Sequence, residues 1–296
     1  MMHTTSIPHS PDPLAASIQG AVASFMLGED NDLSIAGIPE PAFGTPLLGV
    51  SSGADTIWDA YKTHVGPFHW TPLEAFMRAF PDKPVSAGEL SVICWILPQT
   101  QATRKDQRKE KTVPAERWIR ARVAGEKNTN SGLRKHLVAF LAAMGIPAMA
   151  PVLHEDWAQV QSERFGFAST WSERHAAYAA GLGTFGLCDG LITPVGKSVR
   201  VGSVIARLPL PVTPRPYSTH REYCLFFNSD GFCEECIRRC PAGAISRHGH
   251  DKLLCHDYAY GVADEHAIKT LGYRGLSCGL CQVGVPCESG IPKKPR

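Results

Sequence analysis

The chain has 296 residues, of which 44% are hydrophobic and 20% are charged, values typical of a globular protein. Its 30 basic residues nearly balance 28 acidic ones, and a net charge of +2 indicates no extended nucleic-acid surface. No apolar run approaches the ~18 residues that a membrane span needs. The first apolar stretch lacks a preceding basic segment, so no secretory signal is predicted. We therefore expect a cytoplasmic protein without membrane association.

Residues 1–60 are acidic, with seven Asp or Glu residues and no Lys or Arg. We interpret them as an N-terminal segment with one helix, predicted over LAASIQGAVASFML (14–27) and stopped by Gly28. The following IPEPAFGTPLLGVSSG (38–53) is rich in Pro and Gly and is predicted to be irregular.

Residues 61–217 are predicted to form an α/β domain. Helices are expected over 71–80, with Pro72 in the first turn, and over 131–145, with Ser131 as the cap. ELSVICWILP (89–98) and IPAMAPVL (146–153) are interpreted as strands, and strand, helix and strand together indicate a layered arrangement.

The charged run RKDQRKEK (104–111) interrupts this pattern of helices and strands. It is interpreted as a solvated face or loop, with a docking surface for an acidic partner as the alternative.

A further helix and two strands are expected between residues 170 and 207. Thr170 and Glu173 have the spacing of a capping box, which predicts a helix from about Trp171 to Gly181. LIT and SVRVGSVIARL are then predicted to be two strands joined by a tight turn at PVGK (194–197).

Cysteines are the most informative residues of the sequence. The chain has ten, and eight of them fall within 64 residues, where disulfides are not expected in a large cytosolic protein. Such crowding indicates metal binding. The eight are Cys224, Cys233, Cys236, Cys240, Cys255, Cys278, Cys281 and Cys287.

Three of these cysteines match the C-x2-C-x3-C-P part of a ferredoxin motif, namely Cys233, Cys236 and Cys240 before Pro241. The expected first cysteine is replaced by Asp230. Cys224 can take its place, because the entropy lost on closing a loop grows only slowly with loop length. In two-cluster ferredoxins the last cysteine of each run binds the other cluster. The prediction is therefore two [4Fe–4S] clusters, one held by Cys224, Cys233, Cys236 and Cys287, the other by Cys240, Cys255, Cys278 and Cys281.

The same thiols could instead form two zinc sites, which is the alternative for this region. His248, His250 and His256 are interpreted as surface residues because eight thiolates suffice. Cys94 and Cys188 are left over and are interpreted as packing residues, with a role near a cofactor as the alternative for Cys188.

Three segments together resemble the epoxyqueuosine reductase and reductive dehalogenase superfamily. They are SERHAAYAAGLGTFGLCDGLITPVGKSVRVGSVIARLPL, YCLFFNSDGFCEECIRRCPAGAIS and CGLCQVGVPCE. The resemblance implies a nitroreductase-related, cobalamin-binding-type α/β domain over 61–217, followed by a ferredoxin-like domain over 218–296. It also implies that clusters relay electrons to the corrinoid for reductive chemistry. On this analogy, the residues that face the corrinoid are Gly181, Gly183, Thr184, Gly186, Thr193 and Arg200.

The sequence departs from the family pattern at three points. Phe167 occupies the position of an expected acidic proton donor, and Glu288 replaces a proline after the last cysteine. The C-terminal helical repeats for tRNA are not seen, so tRNA is doubted as a substrate. Tyr178 and His175 become the candidate proton donors, with packing in the α/β core or a solvated face as their alternative roles.

The sequence thus predicts an iron–sulfur oxidoreductase that takes electrons from an external ferredoxin- or flavodoxin-type donor and acts on an unidentified small molecule. The alternative is a ferredoxin-type electron-transfer protein without its own catalytic site.

Overall fold

The computed structural model describes residues 12–33, 40–228 and 232–294. Its helices are α1 (Pro13–Met26), α2 (Ile57–His64), α3 (Pro72–Ala79), α4 (Gln101–Lys109), α5 (Glu116–Ala124), α6 (Ser131–Ala143), α7 (Glu173–Ala179), α8 (Leu225–Asn228), α9 (Glu235–Arg238), α10 (Lys252–Tyr260) and α11 (Val262–Leu271). Its strands are β1 (Leu47–Ser52), β2 (Leu90–Pro98), β3 (Ala148–Met149), β4 (Gln159–Ser162), β5 (Gly166–Ser169), β6 (Thr184–Phe185), β7 (Leu191–Ile192), β8 (Val199–Arg207), β9 (Ile245–Ser246) and β10 (Gly249–His250).

A four-stranded antiparallel sheet, in the order β1-β2-β8-β3, forms the centre of the fold. Every residue of β2 is buried, because helices cover both faces of the sheet. Val92, Cys94 and Ile96 face the layer of α2, α3 and α7. Ile93 and Trp95 face the layer of α1 and α6. The mixed α/β class predicted from the sequence is therefore confirmed, as is the packing role of Cys94.

Four predicted elements are confirmed within a few residues, namely α1, α3, α6 and β2. Asp12 caps α1 by accepting hydrogen bonds from the amides of Leu14 and Ala15. Thr71 and Glu74 form a capping box at the start of α3. The predicted cap at Ser131 is wrong, because α6 continues directly from a π-helical turn over Gly125–Asn130.

The segment 38–53 is not irregular throughout, since its last part forms the edge strand β1. Residues 38 and 39 lie outside the described ranges. Gly49 is needed there, because a Cβ at this position would lie 2.4 Å from the carbonyl oxygen of Ala180. Glycine that permits close packing was thus mistaken for glycine that marks a loop.

The predicted capping box at Thr170 and Glu173 is also wrong. Helix α7 begins at Glu173, with Ser172 before it, and the Glu173 carboxylate points into the fold. One oxygen accepts hydrogen bonds from Arg134 at 3.0 and 3.1 Å, and the other accepts one from the hydroxyl of Ser203 on β8. The carboxylate of Glu173, which the local spacing assigns to a helix cap, instead forms a buried ion pair with Arg134.

The tight turn before β8 is present, with Gly196 at φ +89° and a bridge between Thr193 and Gly196. Its flanking strands do not pair with each other, as a hairpin would require. Strand β7 pairs with β6, whereas β8 joins the central sheet. The turn therefore carries the chain from a small ribbon into the core. Among the described residues, no helix is long and apolar enough to cross a membrane.

Candidate metal centre

Four cysteines line one cavity at the side of the sheet region. They are Cys224, Cys233, Cys236 and Cys287, the set that the sequence assigns to the first cluster. The cavity has about 340 Å³ of atom-free space, part of it open to solvent. Its other walls are mainly apolar and include Leu187, Ile192 and Val285. Asp230, the position of the missing motif cysteine, lies outside the described residues.

Each of these thiols is positioned by local backbone contacts. Cys224 follows Tyr223, whose amide donates to the hydroxyl of buried Thr184 at 2.9 Å. Cys236 lies within the single turn of α9. The carbonyl of Cys287 accepts a hydrogen bond from the amide of Lys197 at 2.9 Å. The tight turn at 193–196 thus places Lys197 next to Cys287, the last of the four cysteines in the sequence.

The second predicted set is also partly brought together. Cys278 is half-buried, and burial together with the nearby Cys255 and Cys240 raises the pKa of its thiol to about 11. Cys281 is a neighbour of Cys278 but also hydrogen-bonds to Cys188. In the described part of the chain, no three His, Cys, Asp or Glu side chains are arranged to hold a single metal ion.

Cys188 does more than pack. It is buried and contacts the thiols of Cys236 and Cys281, which belong to different predicted clusters. The ammonium of Lys197 lies 3.3 Å from its sulfur. The hydrogen bonds from Cys236 and Cys281, together with Lys197, hold the pKa of Cys188 well below its usual value. Cys188 is therefore the buried packing residue that was predicted, and it also contacts thiols of the cysteine-rich region.

Lys197 is the most unusual residue of this region, because only 3% of its surface is exposed and it lines the four-thiol cavity. Burial opposes its charge, but Cys188 and Cys287 outweigh that effect and raise its pKa well above the usual value. The sequence analysis missed this residue. Its only signal was the position after a tight turn, which by itself is weak.

The charged run 104–111 is largely helical, and its helix α4 docks the cysteine-rich segment, so the solvated interpretation is wrong for one face. The buried amide of Gln107 donates to the carbonyl of Cys278 at 2.8 Å. Arg108 forms a two-point ion pair with Glu288, and Arg104 lies 3.7 Å from the same carboxylate. Glu288, which replaces the family's proline, is therefore the acidic partner, and it belongs to the same chain.

Arg239, the residue that follows the end of α9, strengthens this junction. Its guanidinium donates to the carbonyls of Leu280 and Val283 on one side and of Gln107 and Glu110 on the other. A planar guanidinium can satisfy several carbonyls at once, which suits a crossing point of three segments. The first cysteine run, the second run and α4 are thereby held together.

The candidate proton donors lie on α7, away from the cavity. His175 is enclosed by the rings of Tyr61, His69 and Phe185, and burial lowers its pKa well below the usual value. Its Nδ1 is 2.8 Å from the hydroxyl oxygen of Ser172. His175 therefore does not lie on a solvated face.

Tyr178 is half-buried and stacks on Tyr217, with ring centroids 5.1 Å apart. Burial raises the pKa of Tyr178, so the phenol holds its proton. His175 and Tyr178 are therefore both packed against other aromatic side chains.

Most residues predicted to face a corrinoid contact their own chain. A Cβ at Gly181 or Gly183 would lie 2.5 or 2.3 Å from the carbonyl oxygens of Pro214 and Ile192. Thr184 accepts from an amide, and the Thr193 hydroxyl donates to the carbonyl of Gly196 at 2.7 Å.

Gly186 and Arg200 are the exceptions among these six residues. Gly186 lines the four-thiol cavity. Two buried guanidinium nitrogens of Arg200 have no hydrogen-bond partner among the described residues.

The histidines of the cysteine-rich region are not all surface residues. His250 is 13% exposed in its side chain and lies 3.2 Å from Asp189, while its ring also contacts Cys255. His248 is exposed. Phe167, at the position of the expected acid, packs against His256 with tilted rings whose centroids are 4.8 Å apart.

No family model matches the chain, and no curated protein matches it. Solved structures do. An epoxyqueuosine reductase from Streptococcus thermophilus is 13% identical, with a TM-score of 0.49 over 96% of this chain and 69% of its own. The enzyme from Bacillus subtilis is 16% identical, with a TM-score of 0.45 over 95% and 67%.

A catabolic reductive dehalogenase is 17% identical, with a TM-score of 0.49 over 95% of this chain but 38% of its own. The chain is thus similar in structure to solved members of the two enzyme classes that its motifs resemble.

Proposed function

We propose that this chain is an iron–sulfur oxidoreductase that carries electrons through two [4Fe–4S] clusters. The observation that supports this most strongly is the cavity lined by Cys224, Cys233, Cys236 and Cys287. These four residues come from three separate segments, yet they coincide with the set that ligand exchange between two ferredoxin runs requires. Thiolates bound to an Fe–S cube supply one-electron chemistry whose potential depends on charge and hydrogen bonds around the sulfurs.

The second cluster is assigned to Cys240, Cys255, Cys278 and Cys281. The proximity of Cys240 and Cys255 to Cys278 supports this assignment. Cys188 contacts one cysteine of each set, so the two clusters are neighbours in the proposed arrangement. Electrons from an external ferredoxin- or flavodoxin-type donor would enter at one cluster and leave through the other.

By resemblance, the electron acceptor is a corrinoid that acts on a small molecule rather than on tRNA. The contacts of Gly181, Gly183 and Thr193 within the chain do not indicate a cofactor cradle. We therefore assign no step to a corrinoid. The packed positions of His175 and Tyr178 favour a second candidate function, electron transfer to a partner without a catalytic site in this chain.

Anaerobic reconstitution of the full chain tests the proposal. Two clusters require about eight irons and eight sulfides per chain. Replacing Cys224 by Ala should remove roughly half of the iron, because it breaks one of the two sites. Cys94→Ala is the matched control and should keep all of it, since Cys94 lies inside the central sheet.

Iron content unchanged by Cys224→Ala would contradict the ligand assignment, and zinc in place of iron would overturn the iron–sulfur proposal. Tight uptake of cobalamin by the reconstituted chain would favour the corrinoid enzyme. Intact clusters without cobalamin uptake would favour the electron-transfer protein.

A further inference from the structure

We propose that Lys197, oriented by Cys188, is the cation that sets the reduction potential of the cluster in the four-thiol cavity. The inference rests on the proposed function, because it concerns the same cavity. The ammonium belongs to a side chain that lines this cavity and is only 3% exposed. It lies 3.3 Å from the sulfur of Cys188.

The position of the ammonium is fixed from several sides. The backbone of Lys197 donates to the carbonyl of Cys287, one of the four cavity cysteines. The neighbouring hydroxyl of Ser198 donates to the carbonyl of Gln282 at 2.7 Å. The aliphatic stem passes so close to Gly190 that a Cβ there would lie 3.1 Å from two of its carbons. A lysine held in this way has little freedom to move its charge elsewhere.

The ammonium is surrounded by sulfur rather than by carboxylates. Its neighbours are the sulfurs of Cys188, Cys236, Cys281 and Cys287, and within the described ranges no carboxylate forms an ion pair with it. Burying an ammonium is unfavourable unless it is compensated, and a methionine would fill the same volume without that penalty. A negatively charged cluster provides the compensation.

The direction of the effect follows from the charges. One-electron reduction makes a thiolate-bound cluster more negative, and a nearby buried cation stabilises the reduced form more than the oxidised form. Lys197 therefore raises the reduction potential. Cys188 acts as a positioning residue, because its sulfur holds the ammonium and touches one cysteine of each proposed cluster.

Redox titration of the reconstituted full chain, followed by electron paramagnetic resonance, tests this role. Lys197→Met should lower the midpoint potential of one cluster by at least 59 mV, a tenfold change in its one-electron equilibrium constant. Lys197→Arg keeps the charge and should stay much closer to the wild type. Lys62→Met is the control, because Lys62 binds Glu74 on α3, in the helical layer below the sheet.

A Cys188→Ala variant gives an independent measurement if Lys197→Met does not fold. It should retain all its iron and still shift the same potential, because the ammonium loses the sulfur that positions it. Unchanged potentials in Lys197→Met and Cys188→Ala would overturn the inference while leaving the proposed function intact. Loss of a whole cluster in Cys188→Ala would show that Cys188 is a ligand and would also overturn it. A wild-type chain that binds no iron would remove both proposals.

Discussion

The sheet region and the cysteine-rich region of this chain are held together in different ways. The sheet region buries long apolar side chains on both faces of β2, including Trp95 and Trp58. The hydrophobic cluster beneath the cysteines has seven fully buried residues, and three of them are Cys188, Cys224 and Cys236. Under the proposed function, this region depends on what its thiols bind, because metal binding then contributes to folding.

The largest expected effect is therefore selective loss of order when iron is removed. Under the proposed function, an iron chelator should expose residues 218–294 to hydrogen exchange and proteolysis, because three of the seven buried residues in the cluster next to the cysteines are themselves cysteines. Strand β2 should keep its protection. Hydrogen exchange followed by mass spectrometry measures both regions in one sample. An equal loss of hydrogen-exchange protection in β2 and in residues 218–294 would show that the two regions do not differ in their dependence on iron.

Next in size is the ion pair inside the sheet region. Replacing Arg134 by Ala should lower the free energy of unfolding by about 3–5 kcal/mol, since it leaves the Glu173 carboxylate buried without its cation. Urea denaturation followed by tryptophan fluorescence measures this. Replacing Arg134 by Met and Glu173 by Leu together is the matched control and should cost much less. A single variant as stable as the wild type would show that the pair is dispensable.

The smallest effect concerns pH and His69. Burial lowers the pKa of His69 to about 4, and neither ring nitrogen has a hydrogen-bond partner among the described residues. The unfolded chain binds a proton near pH 6.5 and the folded one near pH 4, so stability is present above pH 6.5 and is lost as pH falls towards 4. From pH 7 to pH 5 this residue should account for about 2 kcal/mol.

A His69→Phe variant should lose that part of the pH dependence while keeping the aromatic stack on Trp171. Urea denaturation at both pH values, on wild type and variant, gives the comparison. If the free energy of unfolding changed equally between the two pH values in both proteins, groups other than His69 would be responsible for the acid sensitivity.

Much of this fold could be predicted because several elements carry their own signals. The apolar spacing of α6 and the unbroken apolar run of β2 are local properties. Strand β1 and the side chain of Glu173 could not be assigned locally, because their partners, Ala180 and Arg134, are distant in sequence.

The same distinction applies to the candidate site. Cysteine spacing predicted which four thiols share a cavity, since motif spacing is itself a constraint on ligand geometry. The contacts of Cys188 and Lys197 required the tertiary structure. One signal was available earlier, because the basic run 104–111 and the acidic Glu288 could have been paired by charge.

The ion pair between Arg108 and Glu288 joins residues 180 positions apart, and this has a consequence for biosynthesis. At about 5–20 residues per second, a ribosome needs roughly 10–40 s to reach residue 288 after residue 108. During that interval α4 is without its docking partner, and the cavity lacks Cys287. Under the proposed function, cluster insertion must therefore follow translation of this segment, so the nascent chain has a period of many seconds in which its thiols are open to oxidation or to the wrong metal.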